Sequence, residues 1–343
     1  MSVLPFGQLP DGTAISEIRL TTAAGASALI ITRGATVRDL AVPLPNGETR
    51  RVVLGYPTLG GYLADTSYLG ATAGRYASRI GGGRFRMDGT LYQLTLNEGN
   101  QTHLHGGTQG FSHRPWQILS KDRDSVTLSL ISPDGDQGYP GTVEARCTYR
   151  MVEPATLRIV MTAITDAPTI LNLAHHSYFS LSPGQNIRSH LLRVNANCYT
   201  PVDTRLIPTG EIHAVAGTSY DFRHLRPISD QTGDPDFCYD LHFVLDREGA
   251  GLAWAATVHS PDSGLQMELY TTEPCLVFYD GVNLKSTFPG LDGRPYSRHD
   301  GLCLEPQRFP DSPNHPRFDS AVLRPGETYR QVTEYRFLVS QLD

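Results

Sequence analysis

The sequence predicts an all-β protein, built as a large antiparallel β-sandwich with few short helices. Its 343 residues include 33 Gly and 24 Pro, and about one such residue in six interrupts helices too often for many long ones to form. Apolar and polar residues alternate with period two in one segment after another. Strands with one apolar face must pair as two sheets or close into a barrel, and we favour the sandwich.

The clearest strands lie in the first half of the chain. Alternation predicts strands over 28–32, 125–130, 142–150 and 157–162. In the third of these, Val143, Ala145, Cys147 and Tyr149 share one face, while polar residues occupy the other. Turn residues at 133–135 and 153–154 separate neighbouring segments, which indicates an antiparallel meander.

The same pattern continues to the end of the chain. Strands are predicted over 265–269, 275–279 and 335–339, and no linker rich in Ser, Pro or charge divides them. No internal repeat is apparent. We therefore expect a single domain over 1–343, with a functional site built on the longer loops at 97–116, 203–240 and 285–303.

Composition excludes several classes of protein. Apolar residues make up 39% of the chain, which is enough for a core, and the net charge of −6 argues against nucleic acid or an anionic membrane as partner. No apolar stretch is long enough to span a membrane, and no signal peptide is recognisable. The five cysteines include no C-x-x-C pair, so we expect reduced thiols in a cytoplasmic protein.

Two motifs in the first third of the chain leave alternatives open. Segment 74–83 sets Arg75 and Arg79 beside a glycine run that matches no phosphate loop or dinucleotide fingerprint. Either one of the two arginines binds a polar ligand as a clamp with several hydrogen-bond donors, or the segment is a solvated turn between strands. His103 and His105 form an H-x-H pair, for which metal binding is less favoured than a hydrogen-bonding role or a plain loop.

Three further segments place titratable groups near apolar runs. His175 and His176 lie within the apolar run 172–179, where burial of two imidazoles without function would be costly. On a strand, only one of the two rings can face a given cleft. Glu305 ends an apolar strand and is either paired with an arginine or free to act as acid or base. Asp240 precedes a predicted strand, where it is either a residue of a turn or a carboxylate of a functional site.

Taken together and in this order, these segments resemble the aldose 1-epimerase (galactose mutarotase) family along nearly the whole chain. The most specific stretches are 104–107 with Gly110, Phe111 and Trp116, then 172–181 and 304–311; weaker ones are 34–36, 52–56 and 323–327. The resemblance implies a galactose mutarotase-like β-sandwich. It also implies an isomerase that interconverts the α and β anomers of a free aldose, with no metal or organic cofactor.

The resemblance also assigns roles to residues. By motif position Glu305 is similar to the family's catalytic base and His176 to its general acid. Arg79, His105 and Asp240 resemble its sugar-binding residues, with Ser78 and Tyr178 as weaker contributors. These types suit the chemistry, because mutarotation requires removal of the C1 hydroxyl proton while the ring oxygen is protonated.

Departures from the family pattern leave the substrate open. Val277 stands where many members have a sugar-contacting Gln, and His175 stands where Asn is usual; Asp280 is a candidate replacement for the lost amide. The alternatives are a hexose-6-phosphate 1-epimerase and a non-catalytic sugar-binding protein on the same fold. A glycosidase that uses Asp240 and Glu305 is a more distant alternative.

Overall fold

The structure is a computed structural model that describes residues 3–182, 184, 186–229, 234 and 237–339. Its first strands are β1 (Val3–Gln8), β2 (Ala14–Thr21), β3 (Ser27–Ile31), β4 (Thr36–Pro43), β5 (Thr49–Arg51), β6 (Thr72–Ala73), β7 (Arg79–Gly81), β8 (Arg84–Met87), β9 (Thr90–Gln93), β10 (Thr102–Leu104), β11 (Gln117–Lys121), β12 (Ser125–Ser132), β13 (Val143–Val152) and β14 (Thr156–Thr165). The remaining strands are β15 (Thr169–Ile170), β16 (Ala174–His175), β17 (Leu191–Val194), β18 (Cys198–Thr200), β19 (His213–Ala214), β20 (Arg226–Pro227), β21 (Asp240–Val244), β22 (Ala253–His259), β23 (Leu265–Thr271), β24 (Cys275–Tyr279), β25 (Cys303–Gln307), β26 (Val322–Leu323) and β27 (Tyr329–Val339).

Helices are short throughout the described residues. The α-helix α1 (Leu59–Ala64) has six residues, and single 3₁₀ turns lie at Phe111–His113, Asp136–Gly138, Ile187–Ser189 and Ser312–Asn314. The expectation of few short helices is therefore confirmed. No helix in this part of the chain is both long enough and apolar enough to cross a membrane.

Three antiparallel sheets make up most of the molecule. The largest has nine strands in the order β11-β12-β13-β14-β27-β23-β22-β17-β20. A first five-stranded sheet runs β1-β2-β3-β4-β5, and a second runs β19-β18-β21-β24-β25. The other described strands form four two-stranded ribbons, β6 with β16, β7 with β10, β8 with β9 and β15 with β26.

The core lies between these sheets. A single cluster of buried apolar side chains includes Ile30 of β3, Leu128 of β12 and Phe278 of β24, and so draws on all three sheets. In β13 buried and more accessible residues alternate along the strand, as the sequence predicts. The nine-stranded sheet thus shares one core with both five-stranded sheets, and the predicted all-β sandwich is confirmed.

Strand β25, which carries Glu305, is fixed from across this core. It is the last strand of the second five-stranded sheet and is buried along its whole length. The Tyr335 hydroxyl donates to the Leu304 carbonyl at 2.9 Å, and the Gln331 amide donates to the Pro306 carbonyl at 2.6 Å. Both donors come from β27, so the nine-stranded sheet holds the backbone on either side of Glu305.

Candidate active site

A pocket of about 210 Å³ opens beside β25. It is lined by Thr66, Ser67, Tyr68, Ser78, Arg79, Leu104, His105, His176, Tyr178, Asp240, Val277, Tyr279, Asn283 and Glu305. All seven residues that the sequence analysis assigns to a site line this one pocket. Segments far apart in the chain meet there because β7, β21, β24 and β25 end or pass at the same place.

Glu305 and His176 form the centre of the pocket. Glu305 Oε1 lies 3.6 Å from His176 Nε2, and both side chains are buried. The other carboxylate oxygen, Oε2, is buried without a hydrogen-bond partner among the described residues. Burial raises the pKa of Glu305 well above its usual value; Asp240 raises it further, and Arg79 opposes this. An acid or base with an open oxygen therefore faces the pocket.

The His176 imidazole packs among three aromatic rings and a cysteine. The rings of Tyr178, His105 and Tyr68 have centroids 5.3, 5.2 and 6.0 Å from its own. The ring nitrogen Nδ1 lies 3.6 Å from Cys303 Sγ. Burial lowers the pKa of His176 to about 4, although a hydrogen bond to its own backbone acts in the opposite direction.

Arg79 joins two carboxylates at the polar end of the pocket. Its Nε and one terminal nitrogen donate to Glu98 at 2.8 and 2.9 Å, and the other terminal nitrogen lies 3.6 Å from Asp240. Burial lowers the pKa of Arg79, but the hydrogen bond to Glu98 and the charge of Asp240 outweigh it, so the pKa is raised. Burial raises the pKa of Asp240, and Arg79 opposes that rise.

His105 is fixed as a hydrogen-bond donor to the pocket. The backbone N–H of Ser78 donates to its Nδ1 at 3.2 Å, so in the neutral ring the proton lies on Nε2. Burial lowers the pKa of His105 well below its usual value, and the nearby His176 adds to this. Gly106 follows at φ 86°, where a Cβ would lie 1.8 Å from the Gly74 carbonyl oxygen. Only glycine allows so close an approach.

Several candidates from the sequence have structural roles instead. Arg75 is buried and donates to the carbonyls of Ser132, Pro133, Pro140 and Gly141, so the clamp is Arg79 alone. His103 contacts the Thr95 carbonyl through Nδ1 and the Tyr139 hydroxyl through Nε2. Neither His103 nor His105 belongs to a group of three possible metal ligands among the described residues, and the H-x-H metal alternative gains no support.

His175 and Asp280 both lie outside the pocket. His175 packs between the rings of Tyr149 and Tyr335 and contacts the Ser177 hydroxyl at 2.7 Å. Its ring faces the core while that of His176 faces the pocket, as alternation along an extended segment requires. The Asp280 carboxylate accepts the backbone N–H groups of Tyr239 and Val282. It therefore does not replace an amide at Val277, which lines the pocket itself.

The sequence analysis misplaced part of the pocket wall. No described residue of 285–303 lines it, so the expectation that this loop builds the site is wrong. The wall is formed instead by Thr66, Ser67 and Tyr68, which follow α1 and had no recognisable pattern. The Asp65 carboxylate accepts the Leu69 N–H at 3.1 Å and holds this turn closed. Tyr279, the last residue of β24, and Asn283, four residues later, were also missed.

One group of side chains has the chemistry of a metal site. Ligand atoms of His176, Cys303 and Glu305 lie within 4.8 Å of one another. Each of the three residues contributes one ligand atom, and all three side chains are buried. The expectation of no metal stays a prediction.

Comparison with known proteins decides the family. The sequence profile of the aldose 1-epimerase family matches residues 16–336. The chain belongs to the aldose 1-epimerase family. It is 39% identical over 338 residues to the aldose 1-epimerase of Escherichia coli K12, with 96% of this chain and 97% of that protein covered. Against human galactose mutarotase the identity is 39% over 343 residues, with 98% of each chain covered.

Solved structures agree with this assignment. An aldose epimerase homologue from C. elegans superposes with a TM-score of 0.90 at 29% identity and covers 96% of this chain and 100% of its own. Galactose 1-epimerase from Lactobacillus acidophilus gives 0.84 at 27% identity, with 99% of each chain covered. The protein is thus an isomerase with the galactose mutarotase-like fold. A role as a non-catalytic sugar-binding module or as a glycosidase is not supported.

Proposed function

We propose that this member of the family interconverts the α and β anomers of a free aldose with Glu305 as base and His176 as acid. The observation that carries the assignment is the 3.6 Å separation of Glu305 Oε1 and His176 Nε2 at the centre of the pocket. The ring opens when Glu305 takes the C1 hydroxyl proton and His176 Nε2 protonates the ring oxygen. After rotation about C1–C2, closure reverses both transfers on the other carbonyl face.

Burial decides where the one proton of the pair lies. Because burial raises the pKa of Glu305 and lowers that of His176, the resting pair is a neutral carboxylic acid and a neutral imidazole. Ring opening proceeds from the form in which this proton has moved to His176, and the reaction returns the pair to the two neutral forms. The pair carries one proton in total before and after the step.

The remaining polar groups orient the sugar. Arg79 and Asp240 present a guanidinium and a carboxylate to its hydroxyl groups, and His105 presents its Nε2–H. Because Arg79 is paired with Asp240 and His105 is held by the Ser78 N–H, little freedom is lost when the sugar binds. Val277 adds an apolar surface to this polar wall.

The pocket favours a neutral sugar over a sugar phosphate. Arg79 is the one Lys or Arg among the described residues that line it, and both Glu98 and Asp240 already pair with that guanidinium. A phosphate dianion would lie beside carboxylates without a free cation. We expect faster turnover of glucose than of glucose 6-phosphate; the reverse order would favour the hexose-6-phosphate 1-epimerase alternative.

Polarimetry tests the assignment directly. The wild-type protein should accelerate the mutarotation of freshly dissolved α-glucose, α-galactose or α-arabinose. Glu305→Gln should reduce kcat by roughly 10²-fold or more, because the amide cannot accept the proton. Glu273→Gln is the matched control: Glu273 is also buried, and burial raises its pKa to about 7, but it lies outside the pocket. Equal activity of the two variants would refute Glu305 as the base.

A further inference from the structure

The contact at Nδ1 of His176 has no part in the mechanism described above. Nδ1 lies 3.6 Å from Cys303 Sγ, which is within hydrogen-bond reach of a large atom such as sulfur. Cys303 is fully buried and does not line the pocket. Its sulfur therefore contacts the proposed acid without lining the sugar pocket.

The Cys303 thiol is an uncharged neighbour. Burial raises its pKa well above the usual value, and the charge of Glu305 raises it further. Since a thiol is both a weak donor and a weak acceptor, it can accept a hydrogen bond from the imidazole.

The direction of the contact follows from the part that each ring nitrogen plays. Nε2 lies 3.6 Å from Glu305 Oε1 and is the nitrogen that gains and loses a proton in the proposed reaction. A neutral imidazole carries one N–H, so once Nε2 has given its proton to the sugar, the remaining proton lies on Nδ1. In the contact of Nδ1 with Cys303 Sγ, the ring is then the donor and the sulfur the acceptor.

We propose, on the basis of the function proposed above, that Cys303 is a positioning residue whose neutral sulfur accepts the Nδ1–H of His176 and leaves Nε2 to exchange a proton with the sugar. A carboxylate at the same place would hold the imidazolium too firmly and make it a weaker acid. A neutral acceptor fixes the ring and its tautomer without that penalty.

The other groups around His176 bear on any pH measurement. Its titratable or charged neighbours in the described part of the pocket and behind it are Glu305, His105, Tyr68, Tyr178, Arg79, His175 and Cys303. Of these neighbours, Cys303 is the one that contacts Nδ1 and does not line the pocket. The substitution Cys303→Asp therefore places a negative charge beside Nδ1 without altering the pocket lining. The experiment therefore varies this residue alone.

Kinetics of Cys303 variants form the first test. Cys303→Ala should lower kcat about 3- to 10-fold, the worth of one neutral hydrogen bond, with KM nearly unchanged. Cys303→Ser should restore most of the activity. Cys303→Asp should move the acid limb of the kcat profile to higher pH by about one unit or more. Cys147→Ala, which removes another fully buried thiol from β13, should leave kcat and the profile as in wild type.

Histidine-selective ¹⁵N NMR supplies a readout independent of turnover. His176, assigned by its loss in His176→Gln, should be the Nδ1–H tautomer in the neutral wild-type protein. An Nε2–H tautomer, or wild-type kcat in Cys303→Ala, would overturn the proposal even if Cys303→Asp fails to fold. If the wild-type protein does not accelerate mutarotation, the proposed function fails instead, and the NMR result still decides the tautomer.

Discussion

Asp240 influences Glu305 as well as contributing to sugar binding. The two carboxylates line one pocket with a single guanidinium, that of Arg79, between Asp240 and Glu98. Asp240 raises the pKa of Glu305 while Arg79 lowers it. Their balance sets the pH above which the Glu305–His176 pair loses its one shared proton. The pH range of activity is therefore a property of the surrounding charges.

Replacement of Asp240 should shift that range. In Asp240→Asn the repulsion of the Glu305 charge is removed, so the pKa of Glu305 falls and the pair loses its proton at lower pH. The alkaline limb of kcat/KM, measured by polarimetry, should move to lower pH. The acid limb should stay near the His176 pKa of about 4.

The matched control for this shift is Asp122→Asn. Asp122 lies exposed between β11 and β12, and its replacement should leave both limbs unmoved. An alkaline limb that stays in place, or moves to higher pH, in Asp240→Asn would contradict the role given to the Asp240 charge.

At the scale of residues, the sequence was informative about chemistry and silent about contacts. Glu305 and His176 could be singled out because titratable groups in apolar runs are costly to bury. The partner of Nδ1 could not, because Cys303 reads as one more buried apolar residue of β25 until the fold brings it to His176. The turn at 66–68 likewise has no sequence pattern, and its part in the pocket wall becomes visible only in the folded structure.

At the scale of elements, Asn172 joins the two halves of the pocket. Its amide nitrogen donates to the Ala77 carbonyl at 3.1 Å and to Gln307 Oε1 at 3.0 Å. Its oxygen accepts the Arg308 N–H at 2.8 Å. The end of β25 is thus tied to the segment that precedes Ser78 and Arg79, so the base and the sugar clamp keep a fixed separation.

Removal of this side chain should weaken both stability and catalysis. Asn172 is fully buried, and Asn172→Ala loses about three buried hydrogen bonds, a cost of roughly 2–4 kcal/mol in the free energy of unfolding. Denaturant unfolding measures that loss, and polarimetry should show a lower kcat/KM. Asn186→Ala, at an exposed 3₁₀ turn, should cost less and leave kcat/KM unchanged. Equal effects of the two variants would contradict the bridging role.

Long strands were predictable and short ones were not. Strands such as β13 and β14 each have ten residues, and burial of one face against water leaves a clear period of two in the sequence. Strands β6 and β16 have two residues each, which is too few for any period. Yet the pairing of β6 with β16 sets His175 and His176 in place, so the sequence could indicate the histidines but not their support.

At the scale of the whole molecule, the core argues for one folding unit. The largest apolar cluster runs from Ile18 to Phe337 and includes residues of all three large sheets. The last described strand, β27, lies between β14 and β23 in the nine-stranded sheet, so the end of the chain completes the middle of that sheet. We therefore propose that the chain is a single domain, because no part of it could unfold and leave this core intact.

Calorimetry tests that proposal. Unfolding should give one transition whose calorimetric and van't Hoff enthalpies agree. A bound sugar should raise its midpoint, because the ligand binds only the folded pocket. Two separated transitions, of which only one responds to the sugar, would show that the sandwich consists of independent parts.

The claim that Glu305 and His176 act as one unit is tested most directly by a double-mutant comparison. Anomer exchange at equilibrium can be followed by NMR for wild type, Glu305→Gln, His176→Gln and the double variant, with the spontaneous rate subtracted. Each single variant should lose roughly 10²-fold or more in kcat, and the double variant should be at most about threefold slower than the slower single one. Losses that multiply in the double variant, or a single variant with near wild-type exchange, would contradict a shared proton-transfer step.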